Sequence, residues 1–292
     1  MKICVVGASG LVGSHCVKVF ENEHWSVIGT HLNFATEKTV YFDPLKDSTG
    51  NFDITAFMPD VIIHCGALTN VDYCEDNEAE SEKVTVNSAK KLAEYCIANN
   101  VKLVYISTDY IFNGKNGPYT EDEEPDPINV YGKHKLMAEQ ITKTTNNYLI
   151  ARITNVYGEE IRSKNFISRL ILMLQNTEEK ELKLPFDQFS TPVYAGDVAR
   201  MLYKLIADNK TGVYHLSSTD YYTRYHLAER VHSYFIDNNA VKIKSVPTNY
   251  LGQPAQRPLN GGLLNIKFVS EYNDFKLSNV DDFVKKMKND EL

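Results

Sequence analysis

Short apolar runs alternate with amphipathic stretches along the first half of the chain. Lys2 to Gly7 (K-I-C-V-V-G) reads as a buried strand, and the segment after it carries Val12, Cys16, Val19 and Phe20 at helical spacing. Ser26 to Thr30 and Thr39 to Phe42 read as the next two strands, and Asp60 to His64 (D-V-I-I-H) as the fourth. Glu75 to Ala98 reads as one long helix. Lys102 to Ser107 is a further apolar strand, and from Val130 onward Leu136, Ala138 and Ile141 mark another helix. This alternation predicts an α/β fold, a Rossmann-type doubly wound parallel sheet covered on both faces. Ligands of such sheets bind beyond the C-terminal ends of the strands.

After a strand at Tyr148 to Arg152 the alternation becomes less regular. Asn165 to Leu174 reads as an apolar-rich helix, E-L-K-L-P-F-D-Q-F-S-T-P-V-Y (Glu181 to Tyr194) crosses back, and Gly196 to Ala207 is another helix. Val213 to Leu216 reads as a strand returning to the sheet, and Tyr222 to Phe235 as helical. No linker, repeat or low-complexity tract separates the halves, so the second lobe is expected to be interleaved with the first. Residues 1–150 with roughly 191–216 are assigned to a dinucleotide-binding domain, and roughly 151–190 and 217–292 to a smaller α/β substrate-binding lobe.

Composition narrows the classes. The chain has 292 residues, enough for a large core, with 43% hydrophobic and 24% charged residues, as in an ordinary globular protein. A net charge of -7 argues against nucleic acid as a partner, although helix N-termini and a few arginines can still hold an anion locally. No apolar run approaches the roughly 18 residues needed to span a bilayer, and the N-terminus runs straight into a strand, so no membrane partner and a cytoplasmic location are expected. The five cysteines are scattered and lack a C-x-x-C pair, which reads as buried thiols in a reducing compartment. No metal-ligand cluster is visible.

Two stretches carry chemistry. Gly7, Gly10 and Gly13 form G-x-x-G-x-x-G between the first strand and the first helix, with Ser9, Leu11 and Val12 between them. Glycine there lets the backbone turn and come close to a pyrophosphate, whose charge meets the helix N-terminus. At the end of the second strand, Thr30 and His31 stand where an acidic residue would favour NAD. Without a carboxylate to repel a 2′-phosphate, the site is expected to prefer NADP(H) and to admit NAD(H), although no arginine stands at that place; His31 reads equally as a solvated loop residue. Further on, Tyr131 and Lys135 lie four residues apart on one helix face, and Thr108 ends the preceding strand. An ammonium beside a phenol is expected to draw it down from its reference near 10, making a proton donor suited to ketone reduction. Tyr272 and Lys276 repeat the spacing, but no strand or phosphate loop precedes them.

Through S-T-D-Y-I-F, G-P-Y-T-E-D and P-I-N-V-Y-G-K-H-K-L-M-A-E the chain resembles the dTDP-4-dehydrorhamnose reductase branch of the extended short-chain dehydrogenases. The resemblance continues through R-I-T-N-V-Y-G-E, K-N-F, D-Q-F-S-T-P-V-Y-A-G-D-V-A, T-G-V-Y-H-L-S and R-P-L-N, nearly the full length. It implies hydride transfer from a reduced nicotinamide cofactor to the C4 ketone of a nucleotide-linked 4-keto-6-deoxy sugar, most concretely dTDP-4-dehydro-L-rhamnose. In that reading Tyr131 donates the proton, Lys135 lowers its pKa and binds the nicotinamide ribose, and Thr108 hydrogen-bonds the carbonyl while Asp109 helps orient the cluster. The resemblance also places Asp43 near the adenine and Cys65, Gly66 and Ala67 in a small-residue turn under the cofactor, where small residues equally serve close packing. Tyr110, Asn155, Asn165, Gln188 and Arg257 are the candidates for the sugar nucleotide, arginine because its planar fork suits a pyrophosphate.

Three positions depart from the family pattern: Asn155 stands where a tryptophan is common, Ser190 where a glycine is, and Thr191 where a serine is. They leave the chemistry intact and put the sugar in doubt. The beta subunit of methionine adenosyltransferase resembles the same family and offers a regulatory alternative; a reductase of a different nucleotide sugar is another. A combined 3,5-epimerase and reductase has a cysteine where Asp109 stands. The resemblance also implies a homodimer in many members.

Overall fold

The computed structural model describes residues 1–46, 52–176, 179–235 and 240–289. The first half runs β1 (Lys2–Val6), α1 (Leu11–Asn22), β2 (Ser26–His31), β3 (Thr39–Tyr41), α2 (Ile54–Phe57) and β4 (Val61–His64). It continues through α3 (Val71–Asp76), α4 (Glu78–Glu82), α5 (Ser88–Asn99), β5 (Lys102–Thr108), α6 (Val130–Lys143) and β6 (Tyr148–Ile153). The second half contains α7 (Phe166–Gln175), β7 (Lys180–Pro185), β8 (Phe189–Ser190), α8 (Ala195–Ala207) and β9 (Gly212–His215). It ends with β10 (Tyr222–Thr223), α9 (Arg224–His232), β11 (Val241–Val246), α10 (Ile266–Glu271) and α11 (Val280–Asn289).

Seven strands form one sheet in the order β3-β2-β1-β4-β5-β6-β9, every neighbouring pair parallel. Residues of β4 and β5 are buried throughout, as expected for strands with helices over both faces. On one face α1 and α8 pack Cys16, Val17, Phe20, Val198 and Leu202 against Ile3, Val5 and Val104. On the other, Leu92, Ala93 and Cys96 of α5 meet Ile62 and Leu103. The order in which strands are added reverses between β1 and β4, and the β1 loop, the β4 loop and the end of β5 open on the same edge of the sheet. A separate apolar cluster joins Tyr157, Ile167 and Leu170 to Leu227, Val231 and Phe283, a second core beside the one that covers the sheet. Among the described residues no helix is long and apolar enough to cross a membrane.

Two predicted elements differ from those observed. The single helix expected over Glu75 to Ala98 is broken at Asn77, which leaves helical geometry (φ −135°, ψ 58°) and caps α3 by donating from Nδ2 to Tyr73 O at 3.0 Å. A wide π turn at Lys83–Asn87 then precedes α5, with Ser88 Oγ donating to Val84 O at 2.6 Å. Such turns are frequent at functional sites, and Val84 and Ser88 both line a cavity at the C-terminal edge of the sheet. The helix expected over Tyr222 to Phe235 begins only at Arg224: Tyr222 and Thr223 pair antiparallel with β8, and Thr223 Oγ1 caps α9 by accepting from His226 N at 3.0 Å.

Candidate active site

A cavity of about 1080 Å³ runs along the C-terminal edge of the sheet toward α7 and the start of α9. Its floor is the β1–α1 loop: Gly7, Ser9, Gly10, Leu11, Val12 and Gly13 all line it. Gly7 has φ +85°, and a Cβ there would stand 2.9 Å from Gly66 N, so only glycine keeps the loop and the β4 turn in contact. Gly10 precedes α1 with no side-chain cap, and the first turn of α1 has no acidic residue. Its backbone N–H groups and the positive end of the helix dipole therefore suit an anionic phosphate. Cys65, Gly66 and Ala67 form the facing wall, and His31 closes the far end with Nδ1 2.8 Å from Thr39 Oγ1.

Thr30 and Asp43, expected at a cofactor, do not line this cavity. Alternation along β2 turns Thr30 into the protein while His31 faces out. Asp43 instead holds its own turn, accepting from Leu45 N at 3.0 Å and pairing with Lys46 at 3.3 Å. Its neighbours Phe42 and Pro44 reach the cavity.

Thr108, Asp109, Tyr110, Tyr131 and Lys135 converge on the middle of the cavity. Helix α6 is aimed by its cap: Asn129 Oδ1 accepts from Gly132 N at 2.8 Å, and Asn129 Nδ2 donates to Gln256 O at 2.8 Å. At Gly132 a Cβ would meet Tyr110 O at 2.1 Å, so glycine is what lets the helix sit against the end of β5. The other end of α6 is tied to β6 by a buried pair, Arg152 donating to both Glu139 oxygens at 3.0 and 2.9 Å. His215, whose pKa burial and then Arg152 pull down to about 3, lies with Nε2 3.3 Å from Arg152 Nη1.

Thr108 Oγ1 donates to Asp109 Oδ1 at 3.3 Å and shares a hydrogen bond with Tyr131. Asp109 Oδ2 accepts from Thr154 Oγ1 at 2.7 Å, and burial raises its pKa, so this carboxyl holds Thr108 and the β6 end together. The tyrosine differs from expectation: burial holds the Tyr131 phenol well above its ordinary range, with the Thr108 hydrogen bond acting in the opposite direction. The ammonium expected to draw it down is turned elsewhere. Lys135 Nζ donates to Ile106 O at 2.5 Å and stands 4.2 Å from the centroid of the Tyr105 ring, and burial lowers its pKa from 10.5 to about 7.

Asn155, Asn165, Gln188 and Arg257 also line the cavity. Asn165 is occupied as the cap of α7, accepting from Ser168 N at 3.0 Å and donating to Gly158 O at 2.8 Å. Gln188 Nε2 donates to Thr248 Oγ1 at 3.1 Å. Arg257 pairs with Asp72 at 2.8 Å, its side chain only 8% exposed, so it is no surface residue.

A model of the family described as RmlD substrate binding domain matches residues 1–290. The chain belongs to this family. It is 29% identical over 272 residues to the methionine adenosyltransferase 2 subunit beta of Danio rerio, covering 90% of this chain and 82% of that one. It is also 29% identical over 264 residues to the spore coat polysaccharide biosynthesis protein SpsK of Bacillus subtilis, covering 88% and 87%. In three dimensions it is similar to the crystal structure of dTDP-4-dehydrorhamnose reductase from Bacillus anthracis in complex with NADP, with a TM-score of 0.85, 27% identity and 98% and 97% of the two chains covered.

Against the family pattern, Asn155 and Ser190, two of the three departures, meet directly: Asn155 Nδ2 donates to Ser190 Oγ at 2.5 Å. Asn155 adopts φ +39°, a conformation asparagine tolerates better than most residues. Its Oδ1 accepts from Arg224 Nη2 at 3.0 Å, and the Arg224 guanidinium lies 4.5 Å from the Phe166 ring centroid. Arg224 was missed by the sequence reading. It lines the cavity and has no carboxylate ion pair among the described residues. A signal existed, since a cation in the first turn of a helix opposes the helix dipole. Arg162, from the loop before α7, was missed as well, and its neighbours along the chain give no hint of it.

Proposed function

We propose that this chain is an NAD(P)H-dependent oxidoreductase that reduces the C4 ketone of a nucleotide-linked 4-keto-6-deoxy sugar, most concretely dTDP-4-dehydro-L-rhamnose to dTDP-L-rhamnose. The observation that carries it is the convergence of Thr108, Tyr131 and Lys135 on the cavity floored by the β1–α1 glycine loop. A reduced nicotinamide dinucleotide held by that loop supplies the hydride. The Thr108 hydroxyl turns from Asp109 Oδ1 to donate to the substrate carbonyl oxygen as charge builds on it, and the Tyr131 phenol gives that oxygen its proton. Its raised pKa keeps the phenol protonated until the alkoxide forms. Lys135 holds the cofactor ribose, and Asp109 positions Thr108. Arg257 and Arg224 face the anionic nucleotide diphosphate across the second lobe, which residues 151–190 and 217–292 contribute.

The likeness to the Bacillus anthracis reductase supports this reading. The test is loss of reduced-cofactor absorbance on dTDP-4-dehydro-L-rhamnose generated in the same tube, with a panel of other nucleotide-linked 4-keto sugars alongside. Turnover of the first is expected; turnover only of another sugar would correct the substrate, and inertness on all would overturn the reductase reading. The identity to methionine adenosyltransferase beta subunits favours a second reading, a regulatory partner. Stable copurification with an adenosyltransferase, together with that inertness, would establish it.

A further inference from the structure

Arg162 lies on the loop that leads from β6 into α7, yet its side chain reaches across the cavity to the opposite lobe. Its guanidinium carbon is 5.1 Å from the centroid of the Phe34 ring, just beyond the end of β2. A Cβ built on Gly10 would be 4.0 Å from Nη2. The guanidinium thus spans from the glycine loop to the end of β2, the place where a dinucleotide-binding sheet receives the adenosine ribose. Its Nε is buried without a hydrogen-bond partner, and no carboxylate pairs with it among the described residues. A buried guanidinium nitrogen left without an acceptor is costly unless a ligand supplies one.

The other cations near β2 and β3 are committed elsewhere. Lys38 pairs with Glu21 at 3.4 Å and Lys46 with Asp43 at 3.3 Å, and neither lines the cavity. No acidic side chain from β2 reaches the cavity; His31, Leu32, Asn33 and Phe34 form its wall there. The wall is thus open to negative charge, and its cation comes from a distant loop.

We propose that Arg162 grips the 2′-phosphate of NADP(H) and sets the choice of cofactor. The planar fork donates two hydrogen bonds to a phosphate while the Phe34 face holds it in register. This rests on the nicotinamide dinucleotide reading above and adds a residue and a preference to it.

Titration of the full chain with NADPH and with NADH, following quenching of Trp25 and tyrosine emission or binding heat, tests it directly. The unaltered protein is expected to bind NADPH more tightly. Arg162→Ala is expected to weaken NADPH on the order of tenfold or more and to leave NADH within about twofold, which also reports that the fold is intact. Arg162→Lys keeps the charge without the fork and is expected to recover part of the NADPH affinity. Equal weakening of both cofactors would place the contact on the shared diphosphate and overturn the proposal, as would no change in either. Failure of the unaltered protein to bind either cofactor would overturn the dinucleotide reading itself, and this inference with it.

Discussion

Asn155 donates to Ser190 at 2.5 Å and accepts from Arg224 at 3.0 Å, so one amide couples β8 to the start of α9 across the cavity wall. Two residues that depart from the family pattern therefore act as one unit, and they hold a guanidinium in place. These two altered positions form one hydrogen-bonded unit at the cavity wall.

Asn155→Gly should release Arg224 while keeping a backbone able to adopt φ +39°. We expect KM for the nucleotide sugar to rise about tenfold with kcat little changed and cofactor affinity intact, the pattern of lost uniform binding. Steady-state kinetics on the substrate that turns over checks this. A fall in kcat at constant KM would contradict the positioning role.

Tyr131→Phe removes the phenolic proton and preserves the ring against Tyr110, whose centroid is 5.7 Å away. The expected loss in kcat is about 10²- to 10⁴-fold, with cofactor affinity unchanged. Single-turnover rates with pre-bound cofactor separate this from slow release. Near-normal turnover would remove Tyr131 from the mechanism.

Lys135 gives a prediction for stability. Burial lowers its pKa from 10.5 to about 7, so between those values the unfolded chain binds a proton that the folded chain does not. Stability contributed by this group therefore rises as pH increases from about 7 toward 10.5, and the cost of the buried ammonium is present in full below about 7. Lys135→Met removes the charge and keeps most of the side-chain volume. Its melting temperature at pH 6 should exceed that of the parent by about 2–4 °C, with the difference shrinking as pH rises, while turnover is lost. A gain that does not depend on pH would show that the ammonium is not what costs stability.

Much of the seven-stranded sheet was legible along the chain because its determinants are local. The K-I-C-V-V-G run, the glycine spacing and the apolar strands at Asp60 to His64 and Lys102 to Ser107 appear in the sheet or its loops at the expected places. The break in the helix after Glu75 was not legible, because a side-chain cap at Asn77 and a π turn leave no mark on hydrophobic periodicity. Thr30 was assigned by its distance from the glycines, and strand alternation turned it away.

By itself the sequence determined the alternating α/β order, the glycine loop at the end of β1 and the Tyr131–Lys135 face of α6, since each depends on residues within one turn or one strand. The tertiary structure decided what those groups touch. Lys135 meets the Ile106 carbonyl across 29 positions and Asn155 meets Arg224 across 69. Arg162 reaches Phe34 from the loop before α7. Such contacts arise where packing brings distant loops to one edge of the sheet, and no local pattern of residues encodes which loops will meet.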